Sequence, residues 1–193
     1  MPIERIEPIT LRIPWGPGDW GKFRNWTIVR VYTDDGLVGT GRGGDPHLIN
    51  TEFKDLLIGR DPASIAQHWQ RMFDKAWRFG GPGADAMSSI SSIDIALWDI
   101  MGKHFEVPVY QLLGGKVRDK ARVYYHVFGD TKEKLMSGIL DAKKQGFTAV
   151  GHLTPFLDED RAKKYFKTHA DKIEDAIETV KSYREAVGNE VDL

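Results

Sequence analysis

From Ser89 to His104, apolar residues return at Ile90, Ile93, Leu97 and Ile100, the i, i+3, i+7, i+10 spacing of a single helical stripe. A helix patterned this way buries that stripe, so the segment is core. Asp94 and Asp99 on the same helix lie five residues apart, about 140° around its axis. That separation argues against one ion held by both and leaves capping and hydrogen bonding as their roles. Two-residue alternation dominates earlier in the chain. Ile3 to Ile13 reads as a strand, Trp26 to Thr33 as a second, and Asp34-Asp35-Gly36 as a hairpin turn returning through Leu37-Val38-Gly39-Thr40.

Helical patterns at His47 to Leu57, Ala63 to Phe79 and Ser89 to His104 are separated by Gly59-Arg60-Asp61-Pro62 and Gly80-Gly81-Pro82-Gly83. The first half is therefore a three-stranded meander backed by helices, an α+β pattern. After Gly115 the rhythm changes. Arg122 to Val127 and Phe147 to Leu153 read as strands, Lys132 to Gln145 as a helix with Leu135, Ile139 and Ala142 inward, and Asp171 to Val187 as another. On the last helix Ile173, Ile177 and Val180 are expected to face inward, with Gly188 as the stop and Glu190 to Leu193 opening a third strand. Strands alternating with helices pair in parallel through right-handed crossovers. Three strands do not close a barrel, which takes about 250 residues. The expected organisation is a capping domain over residues 1–115 and the first β/α units of a (β/α)-barrel over 116–193.

Composition narrows the function classes. The 27 basic and 28 acidic residues nearly cancel, and no basic run interleaved with aromatics appears, so nucleic acid is not an expected partner. No apolar run approaches the roughly 20 residues of a membrane span, and Met1-Pro2-Ile3-Glu4-Arg5 lacks the pattern of a signal peptide. The absence of cysteine excludes disulfides, thiolate nucleophiles and zinc-thiolate sites, and fits a cytoplasmic protein binding small molecules. Gly114-Gly115 has no feeding strand and no following Lys-Ser or Lys-Thr, so it reads as a turn rather than a phosphate loop.

The segment Pro14 to Asn25 is punctuated by Gly and Pro yet carries Trp15, Trp20, Phe23, Lys22 and Arg24. That mixture suits a flap closing over a polar ligand, or a loop pinned to the body by its aromatics.

The order of meander, three helices, Ile93-Asp94-Ile95-Ala96-Leu97-Trp98-Asp99, Leu112-Leu113-Gly114-Gly115 and then β/α units resembles the enolase superfamily, in the branch of mandelate racemase and the acid-sugar dehydratases. Asp34-Asp35-Gly36-Leu37-Val38-Gly39 and Leu57-Ile58-Gly59-Arg60-Asp61-Pro62 are similar to that branch's capping domain. The resemblance runs from Ile3 to Leu193. It implies a carboxylate substrate, one Mg²⁺ ion, and abstraction of the proton α to the carboxylate to give an enediolate. In the family the metal-binding carboxylates stand at the ends of the third, fourth and fifth barrel strands. Asp192 falls short of the first of these, so no metal ligand is assigned in this chain.

The resemblance also bears on the base. Many relatives carry a Lys-x-Lys pair at the end of the second barrel strand, and the corresponding positions here are Gly151 and Leu153. Similarity to the mannonate-dehydratase subgroup instead implies Tyr165 as base, with Arg161 as the neighbouring cation that a phenol needs. Tyr124-Tyr125-His126-Val127-Phe128-Gly129 resembles that subgroup's Tyr-x-His-x-x-Gly, which implies His126 as general acid or hydrogen-bond donor to a departing hydroxyl. A histidine packed within its strand is the competing reading. His152 lies beside this end and is a further candidate for contact with the substrate. Trp20, Lys22 and Arg24 in the first loop, and Arg42, Asp45 and His47 after the third strand, are candidates for contacts with the substrate. Solvated surface charge is their alternative.

The expected activity is a Mg²⁺-dependent hydro-lyase acting on a sugar acid, this chain being an N-terminal portion with little activity alone. A racemase or cycloisomerase of the same superfamily is the second reading. The third is a non-catalytic capping module. Its partners would be other copies of itself, in a homo-oligomer, or a segment completing the barrel.

Overall fold

The computed structural model describes residues 1–14, 23–78, 81–154 and 168–193. They form two compact units, Met1–Val117 and Arg118–Leu193.

The first unit is built on an antiparallel meander of β1 (Ile3–Pro14), β2 (Phe23–Thr33) and β3 (Val38–Arg42), in that spatial order. The β2–β3 hairpin turns as the sequence predicts. Gly36 takes φ of 89°, the Thr33 amide donates to the Leu37 carbonyl at 3.0 Å, and the Thr33 hydroxyl donates to the Asp35 carboxylate. That hydroxyl, foremost among several donors, holds the Asp35 carboxyl below its ordinary value. Strand β2 begins three residues earlier than expected because β1 and β2 stay paired out to Pro14 and Phe23. Pro8 and Pro14 are tolerated because β1 is an edge strand, where a missing N–H need not cost a ladder bond.

Val29, Val31, Gly39 and Gly41 share the sheet face that meets α3 (Ala84–His104). Helix α3 starts five residues before the expected Ser89 and buries Ile90, Ile93, Ala96, Leu97, Ile100 and Met101. With Ile3, Ile6, Ile49, Phe53, Leu57 and Met72 they make one core. The expected helix from His47 to Leu57 is an irregular helical run instead: α1 (Pro46–Leu48), a π turn at Ile49–Phe53 and a 3₁₀ turn at Lys54–Leu56. This irregularity lets Ile49, Phe53 and Leu57, four residues apart in turn, all reach the core. Helix α2 (Ile65–Trp77) adds Met72 and Ala76, and buried His68 donates from Nε2 to the Asp61 carbonyl at 2.7 Å, pinning the preceding turn. The short α4 (Val109–Leu112) ends the unit's helices.

In the second unit β4 (Tyr125–His126) and β5 (Val150–Gly151) pair in parallel; of the expected third strand from Glu190 to Leu193 there is a single parallel bridge, Ala149–Asp192, on the far side of β5, preceded by a 3₁₀ turn at Gly188–Glu190. The strands are much shorter than the apolar runs that predict them. Helix α5 (Lys132–Lys144) covers one face with Leu135, Ile139 and Ala142, as its periodicity predicts. Helix α6 (His169–Val187) departs from expectation. Its buried residues are Tyr183 and Val187, whereas Ile173, Ile177 and Val180 are 60%, 49% and 44% exposed. The helix is docked through its C-terminal half, and the stripe that reads as core has no cover among the described residues. Gly188, with φ of 70°, ends it as predicted.

Candidate functional site

Strand β4 sorts its side chains by parity. Val127 turns to Leu135 and Ile139 in the core, while Tyr124, His126 and Phe128 project from the opposite face at the C-terminal end of the parallel pair. Two glycines bring α5 close. A Cβ on Gly138 would stand 2.5 Å from Val127 Cγ1, and one on Gly129 would stand 2.9 Å from Lys134 Cβ. Gly151, opposite His126 on β5, leaves room for a ring, because a Cβ there would meet Tyr124 Cε2 at 2.5 Å.

His152 follows in the left-handed region with φ of 63°, a conformation that costs a non-glycine residue about 1 kcal/mol or more. Its ring centroid lies 4.2 Å from that of His126. Tyr124 stands 4.6 Å from His126, and Phe128 lies 6.0 Å from His126 and 5.4 Å from His152. The result is a cluster of two imidazoles and two aromatic rings. Two residues further on, Asp130 pairs with Lys134 at 2.6 Å, which holds its carboxyl below its ordinary value. Glu133 in the first turn of α5 is lowered by backbone and Thr131 hydrogen bonds.

The first unit places Arg42, Asp45 and His47 where β3 runs into α1. The Arg42 guanidinium lies over the Trp26 ring at 4.0 Å. Asp45 caps α1, accepting from the Leu48 amide at 2.9 Å, while its own amide donates to Ser89 Oγ at 2.8 Å. Its carboxylate is thus spent partly on the fold. His47 is exposed on α1. Arg24 is paired in register with Ile13, on the face away from α3, whereas Arg12 shares the α3-side face and stacks on Phe23 at 4.3 Å. Arg12 has no signal in the sequence, and Tyr124 and Phe128 enter the motif around His126 without a role of their own. For the last two, the i, i+2, i+4 spacing around His126 was the available signal. Trp20, Lys22, Arg161 and Tyr165 lie outside the described residues.

No group of three or more His, Asp or Glu side chains that could hold a metal ion occurs among the described residues. Asp192 is engaged by Arg122 at 2.7 Å. The donors at the β4–β5 end are imidazoles, whereas Mg²⁺ requires hard oxygen ligands. The residues described therefore do not fit a Mg²⁺ site. None of their helices is long and apolar enough to cross a membrane.

A meander backed by helices, followed by parallel β/α units, defines a capping domain and the opening of a β/α-barrel. Residues 22–114 match the mandelate racemase/muconate lactonizing enzyme N-terminal domain, and the chain belongs to that branch of the enolase superfamily. It is 37% identical over 174 residues to D-galactonate dehydratase of Pectobacterium atrosepticum, an alignment covering 87% of this chain and 44% of that protein. The chain thus spans less than half the length of this curated relative. Among solved structures, a protein of Zymomonas mobilis ZM4 to which dehydratase activity is ascribed superposes with a TM-score of 0.79 at 31% identity, over 99% of this chain and 53% of its own. An enolase from Agrobacterium radiobacter, solved with bound sodium and L-malate, gives 0.79 at 29% identity, over 99% and 47%.

Proposed function

We propose that this chain is the N-terminal portion of an acid-sugar dehydratase acting on an aldonate or aldarate. The observation that carries the reading is the placement of His126 on the exposed face at the C-terminal end of parallel strands, the end where β/α-barrels carry their chemistry. The dehydratase named among its relatives, and the carboxylate L-malate held by a structural neighbour, support the substrate class.

In the proposed reaction the proton α to the carboxylate is removed, the β-hydroxyl leaves as water, and the resulting enol becomes a 2-keto-3-deoxy acid. His126 donates the proton that the departing hydroxyl needs, or hydrogen-bonds to it. Tyr165, with Arg161, is the proposed base. Lys22, Arg24 and Arg42 are proposed to bind the carboxylate, with Trp20, Asp45, His47 and His152 as further substrate contacts. Any Mg²⁺ of the whole protein would be held by residues other than those described. Gly151 stands where many relatives carry a lysine and offers no base, which favours dehydration over racemisation or cycloisomerisation.

The test is an assay of the complete gene product with Mg²⁺ against a panel of sugar acids, reading the 2-keto-3-deoxy product. Dehydration of at least one aldonate or aldarate is expected. Exchange of the α-proton in deuterated water with no dehydration would move the assignment to a racemase.

A further inference from the structure

We propose that Tyr124 and Gly151 are positioning residues that, together with the adjoining His152 ring, fix the His126 imidazole for proton donation; the proposal rests on the reading of His126 as the group that meets the substrate. His126 is exposed on its strand, so backbone pairing alone leaves its ring free to rotate. The surrounding rings restrict it. Tyr124 packs at 4.6 Å and His152 at 4.2 Å, each tilted by about 40–50° to the imidazole. Phe128 meets His126 edge-on at 6.0 Å and also touches His152 at 5.4 Å, so the supporting rings brace one another.

Two backbone features create this arrangement. Gly151 withholds the Cβ that would press on the Tyr124 ring from 2.5 Å. His152 leaves the strand in a left-handed conformation, which brings its ring back over the same end. Strain at a ligand-facing strand end is what a site tolerates when it secures the geometry of a reacting group. Tyr124 acts through its ring and not through its hydroxyl.

The experiment uses ring-labelled histidine in this chain, with the His126 Hε1 resonance identified by its loss in His126→Gln. In wild type that proton should lie upfield of free histidine because of the flanking rings. Gly151→Ala, which displaces Tyr124, and Tyr124→Leu should move it back toward the free position, and Tyr124→Phe should leave it in place. Should Gly151→Ala fail to fold by circular dichroism, the Tyr124 pair decides, since that side chain is 56% exposed. An unchanged resonance in Tyr124→Leu overturns the proposal.

In the complete gene product Tyr124→Leu should lower kcat about tenfold with KM nearly constant, and Tyr124→Phe should restore it. A Tyr124→Leu protein with wild-type kcat also overturns the positioning role. If the wild-type product dehydrates no sugar acid, the dehydratase reading falls, and the resonance alone then decides whether the rings fix His126.

Discussion

Gly41 lies so close to Ser92 that a Cβ on the glycine would fall inside the van der Waals shell of the Ser92 carbonyl oxygen. Gly39, two residues earlier, stands in the same relation to the Ala96 carbonyl, with Ile100 Cγ1 at 2.7 Å from its hypothetical Cβ. The obstacles are backbone atoms of a helix, which side-chain motion cannot clear. Strand β3 therefore rests directly on α3, and the Gly-Thr-Gly spacing at 39–41 is dictated by contact with a helix four residues per step away.

Gly41→Ala should accordingly destabilise the first unit by about 3 kcal/mol or more, through the overpacking that such a clash forces. Gly83→Ala is the control. Gly83 has negative φ and nothing within 4 Å of a Cβ, so its change should lie within about 0.5 kcal/mol of neutral. Urea midpoints of the two variants measure the contrast.

Asp99 ties the same two elements together, accepting from the Thr40 amide and from Lys103 Nζ, both at 2.8 Å. Lys103 in turn donates to the Val38 carbonyl at 2.6 Å. Asp99→Ala leaves a strand amide without its partner and should cost about 1–2 kcal/mol. Lys103→Ala should cost less, about 0–1 kcal/mol, because its half-exposed ion pair is solvated in either state. Equal losses in chemical denaturation would contradict the priority given to the Thr40 amide.

Asp94, on the same helix, makes its contribution through burial. Burial holds its carboxyl above the ordinary value, and no hydrogen bond or ion pair reaches it among the described residues. Its contribution to stability is complete below about pH 3.9, the pKa of an unfolded aspartate, and is lost as pH rises through the raised folded value. Asp94→Asn should therefore raise the melting temperature at pH 7, with the gain shrinking as pH falls toward 4. A gain that persists undiminished at low pH would contradict desolvation as the cause.

The exposed stripe of α6 carries a prediction about association. Ile177→Lys places a charge amid Ile173 and Val180, flanked by Lys172 and Lys181. Light scattering should show less concentration-dependent association, while the thermal midpoint stays within a few degrees of wild type, because the side chain is 49% exposed.

How far the chain could be read in advance depended on where the deciding contacts lie. The α3 stripe and the Asp-Asp-Gly turn were legible because periodicity and positive φ are local properties. The start of β2 is not legible in the sequence because pairing with β1, and not the apolar pattern of residues 23–25, extends it. On α6 the apolar stripe predicts burial, yet packing follows Tyr183 and Val187, since burial depends on what lies opposite a face as well as on what the face contains. At the candidate site His126 stood out by its surroundings in sequence. The Gly151–Tyr124 contact did not, because it joins residues 27 apart that meet only through parallel pairing.

Strand β3 stops at Arg42, opposite Ile28, while β1 and β2 continue as a pair for five more residues of β2 to Phe23. At about 3.3 Å per residue that leaves a two-stranded arm of roughly 16 Å projecting past the sheet. None of its residues belongs to the core. The arm is thus ground on which an exchange of side chain carries little thermodynamic penalty, in contrast to the Gly-Thr-Gly seam behind it, where a single added methyl meets helix backbone.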